Sequence, residues 1–160
     1  MVGFTLLEEI TWVKVSDLQK TDSYRASGNT GWGSFASPSS PFCRSIKEHI
    51  LVAHNGQRKK VGTKENIDIT SDEFVSWTHD AWGILGKANS NHPAIFPSEI
   101  PHRLLKLYTY KNDLVVDTFS GIGTTGIECW KLGRNFVGFD LSAKYINEAN
   151  RELKKLKEQQ

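Results

Sequence analysis

The stretch from Leu114 to Asp140, LVVDTFSGIGTTGIECWKLGRNFVGFD, leaves this chain few folds to choose from. Leu114, Val115 and Val116 form a short β-branched run that stops at Asp117, and Gly121 and Gly123 follow in a loop before helix-compatible sequence. That pattern predicts a strand, a tight glycine turn and a helix N-terminus. The helix is expected to end at Leu132, with Gly133 just beyond it, where a left-handed cap costs least. A second apolar strand, Phe136 to Phe139, stops at Asp140. The unit is β-α-β with an acid closing each strand.

Its chemistry follows from the bare turn. Without side chains at Gly121 and Gly123 a ligand can lie against the backbone, where the N–H groups of the helix start point outward. Asp140 falls about 20 residues on, the place at which Rossmann-type sites hold ribose hydroxyls. An adenosine-containing cofactor is therefore expected, and Asp117 selects among them. A carboxylate at the strand end repels a pyrophosphate and attracts a sulfonium and an ammonium group, so S-adenosylmethionine fits better than NAD. The spacing also departs from G-x-G-x-x-G: Gly126 stands three after Gly123, but Thr124 and Thr125 crowd the phosphate approach. Glycine turns of this kind occur in α/β proteins that bind nothing there, and the two acids are what favour a ligand.

These residues carry a resemblance. Asp117-Thr-Phe119-Ser-Gly121-Ile-Gly123-Thr124-Thr125, with Leu132-Gly133-Arg134-Asn-Phe-Val-Gly138-Phe-Asp140, resembles the cofactor motif of DNA methyltransferases that modify exocyclic amines, adenine N6 or cytosine N4. Upstream, His92-Pro93-Ala94-Ile-Phe96-Pro97 is similar to the segment that precedes the cofactor strand in the permuted subgroup of that family. The family usually has Pro where Thr118 stands and Ser where Ile122 stands, which predicts a slightly different turn.

The resemblance implies a partial Rossmann-like, S-adenosylmethionine-dependent methyltransferase fold, three α/β/α layers without the central catalytic strands. It implies a cofactor site of Asp117 near the methionine end, Asp140 on the ribose, Phe119 packed on the cofactor, and Gly121, Gly123, Thr124 and Leu141 around it. Phe96 and Pro97 would close the methionine side. The segment Trp32 to Arg44 is similar to the loop such enzymes turn towards DNA, with Trp32, Ser37, Ser39 and Arg44 as contacts.

No catalytic residue is assigned. Methyl transfer to an amine needs acceptors that orient the NH₂ and an aromatic that stacks on the flipped base, which the family supplies as Asp, Asn or Ser followed by Pro-Pro and an aromatic. This sequence has no such tetrapeptide; Ser40-Pro41-Phe42 lacks one proline. The expectation is a split or truncated C-terminal part, partnered by DNA and by a second polypeptide carrying the catalytic strand. A non-catalytic remnant that holds cofactor or DNA is the alternative. An RNA or protein methyltransferase fits the permuted order less well, and Asp117 disfavours a dehydrogenase.

Composition sets outer bounds. The 160 residues make one domain's worth, 38% apolar and 24% charged, with a net charge of +2 that neither demands nor excludes nucleic acid. Cys43 and Cys129 stand far apart, and the five histidines show no metal-ligand spacing, so a reducing compartment and no metal are expected. No apolar run approaches membrane-spanning length, and Glu8 and Glu9 interrupt the first one, which points to a cytoplasmic protein without membrane contact.

Within a single domain spanning 1–160, residues 1–55 are expected to form a strand at Glu9–Val15, a long loop over 16–44 and a neighbouring strand at His49–His54. Residues 56–91 are expected to be a polar connector and a short helix, its start marked by the Thr70–Glu73 capping box and its face by Phe74, Trp77 and Ala81. Residues 92–157 form the cofactor-binding part: a helix from Pro97, the β-α-β unit, and a last helix from Ser142 to Leu156 burying Ile146, Ala149, Leu153 and Leu156.

Overall fold

The computed structural model describes residues 3–14, 34, 37–43, 45–56, 59–86 and 96–158, and its backbone divides into two compact units. One comprises residues 1–60 and 78–91, the other 61–77 and 92–160.

The first unit is a three-stranded sheet. Strand β1 (Thr5–Val13) pairs antiparallel with β2 (Lys47–His54) and parallel with β3 (Ala81–Gly83), in the order β2-β1-β3. The expected hairpin partners do pair, but β1 begins four residues earlier than Glu9, because the ladder runs on to Thr5 opposite His54 past an irregularity between Leu6 and Glu8. Alternation along β1 puts Ile10 and Trp12 on one face, and these bury with Trp82 and Ile84. The indole Nε1 of Trp12 donates to the Ile84 carbonyl at 2.8 Å, so a core side chain also fixes the chain leaving β3.

The helix expected to reach Ala81 stops at Trp77: α1 is Ser71–Trp77. Ala81 belongs instead to β3, held by Thr11 N–H to the Asp80 carbonyl (2.7 Å) and Ile84 N–H to the Val13 carbonyl (3.0 Å). Sheet hydrogen bonds to a strand some seventy positions away outweigh a helical apolar spacing of one residue. The capping box itself forms in both directions: Thr70 N–H donates to Glu73 Oε2 (2.8 Å) and Glu73 N–H to Thr70 Oγ1 (3.2 Å).

The second unit is the β-α-β core with its flanking helices. Helix α2 (Glu99–Tyr108) leads to β4 (Leu114–Asp117), α3 (Thr124–Lys131), β5 (Asn135–Gly138) and α4 (Ala143–Glu158). Strands β4 and β5 are parallel, in the register Leu114–Asn135 to Asp117–Gly138. Phe136 lies against Gly126 of α3, where an added Cβ would come within 2.6 Å of the ring, so only glycine lets helix and strand approach this closely. The opposite face of the pair stays open: Leu114 is 63% and Val116 55% exposed.

Of the stretch expected to be a surface connector, residues 61–69 belong to this unit and are pinned to it. A single 3₁₀ turn at Lys64–Asn66 accepts the Lys111 N–H at the Asn66 carbonyl (3.0 Å), and Asp68 forms a two-pronged ion pair with Arg134. The Arg134 side chain is wholly buried and every N–H it carries is engaged, by Asp68, by the Leu132 and Thr109 carbonyls and by Thr109 Oγ1. Burial alone would raise the Asp68 carboxyl, but the hydrogen bond and charge of Arg134, helped by Lys106 and Lys111, hold it below its ordinary 3.8. Cys129 is also fully buried, and burial pushes its thiol up to about 11.

Candidate functional site

The exits of β4 and β5 meet at the glycine turn, and backbone hydrogen bonds lace them together. Asp117 Oδ1 accepts from the Phe119 N–H at 3.0 Å, and the Asp117 carbonyl from the Phe139 N–H at 2.8 Å. The Ser120 N–H returns to the Phe139 carbonyl at 2.8 Å, and the Gly123 N–H closes the turn on the Ser120 carbonyl at 2.8 Å. One step further, Asp140 holds both sides: Oδ2 accepts from the Gly121 N–H at 2.9 Å and Oδ1 from the Ser142 N–H at 2.8 Å.

Local sequence explains the shape. Gly121 and Gly123 have φ of 51° and 84°, in the left-handed region that costs glycine least. Gly123 has a second reason, since an added Cβ would stand 2.7 Å from the Ala149 Cβ of α4. The left-handed Gly123 directly precedes Thr124, the first residue of α3. Gly133, at φ 71°, ends the same helix as its sequence predicts.

The amides of Phe119, Ser120, Gly121 and Gly123 are taken by acceptors in the turn and at the ends of β4 and β5, and the Ile127 N–H of α3 returns to the Gly123 carbonyl at 2.9 Å. The turn also presents a carboxylate at the end of each strand and apolar surface, with Phe119 86% exposed and Leu141 fully exposed.

Asp117, Phe119, Gly121, Gly123, Thr124, Asp140 and Leu141 thus lie together at one end of the parallel pair. Phe96 and Pro97 stand at the entry to α2, where the Pro97 carbonyl accepts the Ile100 N–H at 3.1 Å, and no described hydrogen bond joins them to the turn. His92, Pro93 and Ala94, and with them Trp32 and Arg44, lie outside the described residues. Ser37 and Ser39 belong to the other unit, in an exposed hydroxyl cluster: Ser39 Oγ donates to Ser34 Oγ (2.9 Å) and Ser37 Oγ to Ser39 Oγ (3.1 Å). Among the described residues no group of three or more His, Cys, Asp or Glu could hold a metal ion, and no helix is long and apolar enough to cross a membrane.

Sequence reasoning gave no role to Arg134 or Asp68. The signal available was a cation directly after a helix-ending glycine, where the last carbonyls favour positive charge. Arg134 uses it by donating to the Leu132 carbonyl at 2.7 Å while holding Asp68. Behind the turn, buried Glu128 of α3 meets His102 of α2 (3.1 Å) and Lys131 (2.7 Å), and His102 stands edge-on to Trp77 of α1.

Comparison with known proteins places this geometry in context. The family model described as DNA methylase matches residues 1–151. The type II methyltransferase M.MjaI of Methanocaldococcus jannaschii is 31% identical over 150 residues, 88% of this chain and 46% of its own length. M.BglI of Bacillus subtilis is 38% identical over 87 residues, 53% of this chain and 25% of that protein. The crystal structure of a putative DNA modification methylase from Thermus thermophilus, complexed with S-adenosyl-L-methionine, superposes with a TM-score of 0.69 at 22% identity, over 96% of this chain and 54% of that one. The chain spans about half the length, or less, of these relatives.

Proposed function

This chain belongs to the N6/N4 DNA methylase family, and from that premise we propose that it binds S-adenosylmethionine at the Gly121–Gly123 turn and serves methyl transfer to an exocyclic amine of DNA, adenine N6 or cytosine N4. The observation that carries this reading is the pair of carboxylates, Asp117 and Asp140, at the strand ends beside the bare Gly121–Gly123 turn. A rim edged by carboxylates suits a sulfonium and an ammonium group and disfavours a pyrophosphate.

The residues present fit that cofactor. Asp117 stands where it can attract the methionine end, and each Asp140 oxygen keeps acceptor capacity for a ribose hydroxyl beyond the one amide it already holds. Exposed Phe119 and Leu141 offer apolar cover, Gly121, Gly123 and Thr124 bring the backbone close, and Phe96 and Pro97 close the methionine side in this reading. When bound, S-adenosylmethionine supplies an electrophilic methyl group; this chain's residues hold and orient it.

The amine-orienting tetrapeptide does not occur in these 160 residues, so we assign no catalytic residue here and infer that a second polypeptide brings that segment. The exposed Leu114 and Val116 on one face of a parallel pair support contact with further protein, since parallel sheets are ordinarily covered on both faces. Trp32, Ser37, Ser39 and Arg44 are the residues we assign to DNA, and both units to one cytoplasmic methyltransferase-like domain over 1–160.

Calorimetric titration with S-adenosylmethionine and NAD side by side tests the cofactor reading. Binding of the first alone, weakened by Asp117→Asn, is expected; binding of NAD in its place would overturn it. Labelled-methyl transfer to DNA is expected only after a polypeptide with the missing tetrapeptide is added, and substantial turnover by the chain alone would remove the second polypeptide. Cofactor binding without activity under any partner would favour a non-catalytic holder, the reading that the absent tetrapeptide keeps open.

A further inference from the structure

Strand β2 ends at His54, and the chain leaves it through Asn55 and Gly56, both exposed. Gly56 stands at φ 91°, in the left-handed region, and nothing lies within 4 Å of the place a Cβ would take there. Its carbonyl can only accept, so the 2.9 Å contact from His54 puts the ring proton on Nδ1. No hydrogen bond among the described residues takes the Gly56 N–H. An asparagine carboxamide is thus followed by a backbone nitrogen that no side chain of its own residue and no described bond shields.

The other described asparagines are held differently. After Asn66 the Ile67 N–H is spent on the Lys64 carbonyl at 3.2 Å, and after Asn112 the Asp113 N–H on the Tyr110 carbonyl at 3.2 Å. Asn147 and Asn150 sit inside α4, where the next amide belongs to the helical ladder. Asn135 is followed within β5 by the bulky Phe136.

We propose that Asn55–Gly56 is a modification site, at which the chain deamidates spontaneously through a succinimide with water as the only co-reactant. The Gly56 nitrogen gives its proton to solvent base and its electron pair to Asn55 Cγ. The Cγ–Nδ2 bond breaks, and that nitrogen leaves, reprotonated, as ammonia. One water then opens the five-membered ring at either carbonyl and returns a proton to the Gly56 nitrogen: opening at Cγ gives aspartate, opening at the main-chain carbonyl gives isoaspartate. Either product sets a carboxylate beside His54, and isoaspartate also lengthens the main chain just past the end of the ladder, where His54 pairs with Thr5.

The test follows the full chain in mildly alkaline buffer, folded and unfolded in urea, by digestion and mass spectrometry with fragmentation that assigns each residue. The peptide carrying Asn55 is expected to gain one mass unit and split into aspartate and isoaspartate forms, about tenfold faster or more than any peptide carrying Asn66, Asn112, Asn135, Asn147 or Asn150. At Asn55 the folded chain should react less than about tenfold slower than the unfolded one, since no described bond has to open first. Asn55→Gln, whose longer side chain would have to close a six-membered ring, should abolish the gain. A folded chain protected at Asn55 by about tenfold or more, a gain there as aspartate alone, or a gain that survives Asn55→Gln would overturn the site.

Discussion

Trp12 and Arg134 are both buried and both donate to backbone carbonyls, yet they hold their units together by different means. Around Trp12 the first unit buries Ile10, Trp82 and Ile84, and the indole donates to the Ile84 carbonyl. Around Arg134 the second unit buries a guanidinium that binds the half-buried Asp68 carboxylate and the carbonyls of Thr109 and Leu132. The first depends on area removed from water and tolerates imperfect geometry. The second depends on every partner being present, because a buried charge that loses its partner is penalised far more than a methylene that loses a neighbour.

The largest effect should therefore fall on the second unit. Arg134→Ala strands Asp68 and the Thr109 carbonyl in a partly buried site and is expected to cost about 3–5 kcal/mol in denaturant titrations. A cost near that of an ordinary surface change would mean the network is not needed. Gly123→Ala comes next: a side chain at φ 84° whose Cβ meets the Ala149 Cβ at 2.7 Å should cost about 1–3 kcal/mol and weaken cofactor binding with it. Unaltered thermal stability would break the link between turn and α4.

Trp12→Phe sharpens the other side. It removes the indole donor but keeps most of the apolar bulk, so about 1 kcal/mol is expected, and a loss as large as that of Arg134→Ala would erase the contrast between the units. Acidification gives the smallest effect. Because the folded Asp68 carboxyl lies below its ordinary 3.8, its ion pair contributes fully above about pH 4 and is lost as pH falls through the folded value. Stability measured from pH 6 to pH 2 should decline less steeply in Arg134→Ala, and parallel acid limbs would exclude the pair as a source of the slope.

The same contrast decides what could be read from the chain before its structure. The pairing of the strand around Ile10 with its neighbour at His49–His54 and the β-turn-α around Gly121 are written in residue types whose preferences are local, and both form, the first strand starting earlier than expected. The Thr70–Glu73 capping box is legible for the same reason. Strand β3 was not, because three residues carry no period and are ordered only by β1. Asp68 and Arg134, 66 positions apart, look like surface charges until the fold joins them. At the site, the residue types at Asp117 and Asp140 were legible while their bonds were not: the amides these carboxylates accept depend on how the ends of β4 and β5 meet.

The two thiols give the molecule a built-in clock. Cys43 is exposed and should take an alkylating reagent at once, whereas Cys129, at 0% exposure and with its thiolate suppressed to about pH 11, is closed to the same reagent while α3 stays packed. Modification of the second sulfur then counts openings of the β-α-β unit one at a time, so ordinary mass spectrometry at neutral pH can follow how often that unit breathes and whether a nucleoside slows it.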